Sequence, residues 1–182
     1  EISIEIILIL LFQITLGYVF SFIALIIGAY MGGLAWGAWM SSRHMCTSSR
    51  RTAITALITL EGAMAILPLL ILFVHTRIIT FVTWDIIAIS IFSLLMIGAG
   101  IIGGMQFPIA NALYLSIKNE AVQARSLGHV YAADLFGSSV GAFLISIFII
   151  PCFGIQQTLF FLSFCNGITL LILVRSRHLF SK

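Results

Sequence analysis

The residues able to do chemistry in this chain are polar groups set inside apolar sequence. Asp134 is the only carboxylate in GHVYAADLFGSSVGAFLISIFIIPCFGI (128–155). A charge within a hydrocarbon-length span is costly, so its default reading is functional or paired. Tyr131, Ser138 and Gly141 stand three, four and seven positions away, which puts all four residues on one helix face. Two chemistries follow. Asp134 pairs with Arg125, a neighbouring helix or a backbone group and holds a bundle together, or it binds a cation or a proton. Glu61, in TALITLEGAMAILP with Thr55, Thr59 and Gly62 nearby, is the second intramembrane acid. No lysine or arginine lies at similar depth, which leaves room for a cationic ligand or for two neutral acids.

Gln106, Pro108 and Asn111 form a third cluster in GGMQFPIANALY (103–114). Proline removes one helical hydrogen bond, and the freed carbonyl needs another partner within a membrane. Gln106 and Asn111 are the expected donors. The alternative is a broken helix lining a binding cavity. Gln13 is expected to make a hydrogen bond between helices.

Other chemistries are excluded by type and spacing. His44, His75, His129 and His178 offer no facing pair for a haem, and Cys46, Cys152 and Cys165 have no metal or redox spacing. There is no Walker loop, no HExxH and no CxxCH. No catalytic motif, cofactor or metal set is therefore expected of this chain. The basic residues form no single patch, which argues against nucleic acid as a partner.

These positions must be held by membrane helices. The chain is 61% hydrophobic and 8% charged, against about 25% charged in ordinary soluble domains. Its mean hydropathy is +1.19. Lipid is therefore the solvent for much of the surface. A spanning helix takes about 20 residues, and the apolar runs divide into an all-α bundle of six spans: 2–17, 20–40, 52–74, 85–106 with a continuation towards 117, 128–150 and 155–174. With the N-terminus inside, Arg43, Arg50, Arg51, Lys118, Arg125, Arg175, Arg177 and Lys182 are cytoplasmic, and only Arg77 is outside. This positive-inside bias predicts two cytoplasmic termini in a bacterial-type inner membrane. Trp36, Trp39, Trp84, Tyr114 and Tyr131 fall at span ends, where amphipathic rings settle. The chain opens on Glu1 without a recognisable signal peptide, as expected of a mature or truncated end.

Four glycine pairs spaced four apart, Gly28/Gly32, Gly33/Gly37, Gly100/Gly104 and Gly137/Gly141, predict helix seams, because membrane helices associate through small residues. The seams serve internal packing, a homo-oligomer or other membrane subunits. GAYMGG (28–33) and GSSVGA (137–142) echo each other in the middle helix of each three-helix set. Two such sets are the layout of half a major-facilitator transporter.

GAYMGGLAWGAW (28–39), GGMQFPIANALY (103–114) and the 128–155 segment resemble the membrane domain of spermidine synthase-like proteins, also described as fused major-facilitator/spermidine synthase proteins. The resemblance covers most of the chain. It places Asp134 with its Gly/Ser neighbours, and Gln106, Pro108 and Asn111, in that family's motifs. Members commonly carry a soluble aminopropyltransferase domain after the membrane part, and these 182 residues contain none. Short loops and several glycine seams point to a non-catalytic membrane subunit or scaffold, resembling the membrane half of that family and packing on partner chains. The alternative, from Asp134, Glu61 and the Pro108 break, is a half-transporter for polyamines, the class the resemblance implies, or another cation; a second alternative is a membrane anchor for an aminopropyltransferase on another chain.

Overall fold

The computed structural model describes residues 2–17, 20–45, 50–81, 85–115 and 120–180. They form α1 (Ile2–Leu16), α2 (Phe20–Met45), α3 (Arg50–Phe81), α4 (Asp85–Leu115), α5 (Glu120–Leu144), a π-helical turn (Ile145–Ile149) and α6 (Ile150–Phe180). No strand occurs among the described residues. Trp84, Lys118, Lys182 and Cys46 lie outside them, as do the side chains of Arg125, Arg177, His44 and His178.

Four stretches are long and apolar enough to cross a membrane: Phe22–Arg43, Arg50–Arg77, Ile86–Tyr114 and Gly128–Ser176. The expected first span falls short. At ~1.5 Å per residue, the 15 residues of α1 reach about 22 Å, less than a ~30 Å hydrocarbon core. The last stretch, 49 residues long, runs through α5, the π turn and α6. Its expected interruption at 151–154 narrows to one residue. Gly154 (φ 78, ψ 168) leaves the helix, a conformation that only glycine adopts freely. Pro151 stays helical, and the wider π turn precedes it. There the Ile150 N–H donates to the Ile145 carbonyl, an arrangement that accommodates the proline's missing donor.

α1 is the shortest helix and the most enclosed. Ile4, Ile7, Leu8, Leu11 and Phe12 are all nearly inaccessible and form the centre of the hydrophobic core with Ile26, Met64, Ile71, Phe92, Met96 and Leu159. Phe12 meets Phe92 edge-on, with centroids 5.7 Å apart. Gly17 (φ 76) closes the helix by donating its N–H to the Gln13 carbonyl. The Gln13 side chain itself is exposed, contrary to an interhelical role.

The closest seam joins α2 to α4, which run parallel. A Cβ on Gly33 would lie 2.5 Å from the Ile97 carbonyl oxygen. On Gly37, Gly100 or Gly104 it would fall closer still to the carbonyls of Ile101, Tyr30 and Leu34. Those four glycines let two backbones touch. Gly28, Gly32 and Gly137 face open space, and Gly141 meets only the Ser3 hydroxyl at 3.6 Å, so two of the four expected pairs make no seam within this chain.

α3 packs antiparallel on α6 through a polar clamp at Pro68. Proline cannot donate to the Met64 carbonyl, and its ring crowds that turn. Asn166 Nδ2 donates to Met64 O at 3.0 Å, and Ser163 Oγ to Ala65 O at 2.6 Å. Beside Pro108, the Ser41 hydroxyl of α2 donates to Met105 O at 3.3 Å across the glycine seam. The carbonyl that Pro108 leaves without its helical donor is that of Gly104. Of the two donors expected there, Gln106 gives its Nε2 N–H to Glu61.

The clamp makes a stability prediction. Ser163→Ala with Asn166→Leu costs about 1–3 kcal/mol of resistance to denaturation in micelles, since apolar surroundings leave the Met64 carbonyl without a donor and a second bond, to Ala65 O, is lost. Adding Pro68→Ala, which restores the N–H, recovers part of that loss. A double variant within ~0.5 kcal/mol of the parent removes this account of the clamp.

Candidate functional site

The structure gathers acids and amides from distant parts of the sequence into one cleft of about 360 Å³. α3 supplies Glu61 and Met64. α4 supplies Gln106, and α5 supplies Asp134, Gly137, Ser138 and Gly141. α6 contributes Asn166, and the first turn of α1 contributes Ser3. Register explains the meeting. α3 and α4 run antiparallel, so Glu61 and Gln106 share a level, while the clamp on Met64 brings Asn166 to the same depth. Glu61 stands eleven residues into the apolar stretch beginning at Arg50, ~16 Å along its axis and well inside it.

A polar contact between α3 and α4 sets the inner wall of the cleft. Gln106 Nε2 donates to Glu61 Oε2 at 3.0 Å. This bond fixes the carboxyl plane and leaves the Gln106 carbonyl oxygen as a further acceptor. Asp134 sits on the outer wall. α5 is largely exposed from Gly128 to Gly137, so this carboxylate meets the cleft from a helix only loosely covered by its own chain. Ser138 and Gly141 share its face, and the small side chains keep the wall thin. No lysine, arginine or histidine is among the described residues lining the cleft.

Two expected members lie elsewhere. Tyr131 does not line the cleft; its ring packs edge-on against Phe107 with centroids 6.3 Å apart. Phe107 belongs to α4, and that contact turns the tyrosine off the face it shares with Asp134 by spacing alone. Asn111 is also absent, and its Oδ1 is buried without a hydrogen-bond partner. Thr55 and Thr59 turn back to their own helix, donating to the carbonyls of Arg51 and Ala56. The pairing of Asp134 with Arg125 involves a side chain outside the described residues.

Sequence reasoning missed Asn166, Ser163, Pro68 and Ser3. Asn166 was within reach of the criterion that found Gln106, since it is an amide inside the apolar run LSFCNGITLL. Ser163 and Pro68 acquire meaning only as partners across two helices.

The chemistry available is that of an acceptor-rich cage. Carboxylate, amide and hydroxyl oxygens converge from five helices, with apolar Met64, Ile2 and Ile4 beside them. Among the described residues no group of three or more His, Cys, Asp or Glu is placed to hold a metal ion. Comparison with protein-family models, with curated proteins and with solved structures finds no match.

Proposed function

We propose that the chain is a membrane-embedded half-transporter that binds a small organic amine cation between Glu61 and Asp134. The observation carrying this reading is that two acids, 73 positions apart in sequence, line one cleft with amide and hydroxyl acceptors and no described basic side chain. An alkylammonium group has three donors and no acceptor, which suits such a lining. A linear diamine suits it further: two ammonium groups match two carboxylates, and the methylene chain between them lies on Met64 and Ile4. The sequence resemblance to spermidine synthase-like membrane domains points to the same substrate class.

In this reading the chain crosses the bilayer six times. α1 belongs to the first crossing, and Gly154 divides the 49-residue stretch into two. The packing of α2 on α4 and of α3 on α6, with α1 meeting both α4 and α5, is compatible with two exchanged three-helix sets. Helix directions bring the described Arg43, Arg50, Arg51 and Arg175 to one end and Arg77 to the other, which supports a cytoplasmic basic end in a bacterial-type inner membrane. Arg43 lies over the Trp39 ring at 5.3 Å, with Trp36 beside it, as interfacial anchors do.

Proteoliposomes containing the purified chain are expected to accumulate radiolabelled 1,4-diaminobutane. Unlabelled diamine in excess should suppress the signal, and a neutral diol of the same length should not. No uptake above empty liposomes, or equal suppression by the diol, sinks the proposal.

A second reading, a non-catalytic subunit that packs against partner chains, is favoured by the open backbone at Gly28, Gly32 and Gly137. The two readings are compatible, since a half-transporter needs a second half.

A further inference from the structure

A second cavity, of about 230 Å³, lies at the arginine-rich end of the bundle, away from the acidic cleft. Its walls are Ile54 and Leu57 of α3, Ala110 and Leu113 of α4, and Leu173 of α6. Arg50 and Tyr114 complete it. The interior is thus hydrocarbon, with a guanidinium and a phenol as its polar elements. No carboxylate is among the described lining residues. Register adds charge around it. Asn166 lies opposite Met64 and Ser163 opposite Ala65, so Arg175 falls about level with Thr55 across the α3–α6 seam. Arg51 adjoins Arg50, and both Arg51 and Arg175 are exposed. Arg50 also opens α3, where the helix dipole adds positive potential.

We infer that this cavity is a binding site for an anionic phospholipid, with part of one acyl chain between α3, α4 and α6 and the phosphate on Arg50. The inference rests on the chain spanning a membrane and is independent of what the acidic cleft binds. Depth fits the occupant: Arg50 begins a candidate span, so its guanidinium lies where headgroups lie, and Leu57, Ala110 and Leu173 lie where chains lie. Charge fits it too. Basic pockets between membrane helices attract anionic headgroups. The ammonium of a zwitterionic headgroup would stand among Arg50, Arg51 and Arg175, and a free phosphate would gain nothing from the five apolar walls.

The test is lipid retention by the full chain after detergent exchange, read by native mass spectrometry. Phosphatidylglycerol and phosphatidylcholine with identical acyl chains are the probes, and inorganic phosphate is the competitor. The wild type should retain one phosphatidylglycerol with at least tenfold preference over phosphatidylcholine, and millimolar phosphate should not displace it. Arg50→Gln should reduce retention about tenfold by removing the charge. Ala110→Phe should reduce it as strongly by filling the cavity while leaving Arg50 in place. Equal retention of both lipids by the wild type, displacement by phosphate, or unaltered retention in Arg50→Gln overturns the inference. The wild-type selectivity decides the matter even if Ala110→Phe fails to fold.

Discussion

Glu61→Gln and Asp134→Asn are each expected to weaken binding of a linear diamine by about tenfold to a hundredfold, and the pair together to abolish uptake. Both substitutions keep shape and remove charge. In Glu61→Gln the new amide oxygen would still accept the Gln106 N–H that Glu61 Oε2 accepts now, so the cleft should keep its geometry. What is lost is one ammonium–carboxylate contact. Each tenfold corresponds to ~1.4 kcal/mol, and the expected loss lies towards the lower end at Asp134, which water screens on its exposed helix. Glu61 is less exposed and held by an amide, so its substitution should cost more. Ser138→Ala, which removes a neutral hydroxyl from the same wall, should change affinity less than threefold. Isothermal titration in micelles measures all three variants. Equal affinities for wild type, Glu61→Gln and Asp134→Asn would leave both acids with a structural role only.

The largest loss of stability is expected at the α2–α4 seam. Gly104→Val and Gly37→Val place a Cβ against the backbone carbonyls of Leu34 and Ile101. A backbone atom cannot rotate away as a side chain does, so the two helices must separate along their length. Overpacking of ordinary cores costs about 1–3 kcal/mol. Here ~4 kcal/mol or more is expected, because separation also removes the Ser41 bond to Met105 beside Pro108. The variants should fail to give a monodisperse species by size-exclusion chromatography or should melt far below the parent. Gly28→Val and Gly32→Val are the contrast. Nothing lies within 4 Å of either position, so the monomer should tolerate both. If that face meets a second chain, the same substitutions should lower the apparent mass of the complex while leaving the helical signal intact. Parent-like stability in Gly104→Val would contradict the seam.

Residues that look alike in the sequence thus part company in the fold. Gly28/Gly32 and Gly33/Gly37 share spacing, helix and neighbours, yet one pair is enclosed and the other open. A glycine pattern specifies that close approach is permitted, and the partner's position decides whether it occurs. Pro68 shows the same limit. It demands a donor for the Met64 carbonyl, a demand visible from the sequence alone. Which side chain answers depended on the helix brought alongside, where Asn166 of α6 supplies its amide.

The sequence by itself determined the elements and their apolar character. Long apolar runs became helices long enough to cross a membrane, and polar residues within those runs marked Asp134, Glu61 and Gln106 in advance. Gly17 and Gly154 ended helices where a positive φ was needed. Only the tertiary structure decided which of the marked residues meet. Glu61, Gln106, Asp134 and Asn166 come from four helices, and helix spacing rules extend no further than one helix. The same structure took Tyr131 to Phe107 and left Asn111 outside the cleft, although both shared a motif with residues inside it. It also made α1, the shortest apolar helix, the centre of the core, because burial depends on the neighbours that surround a helix and not on its own length.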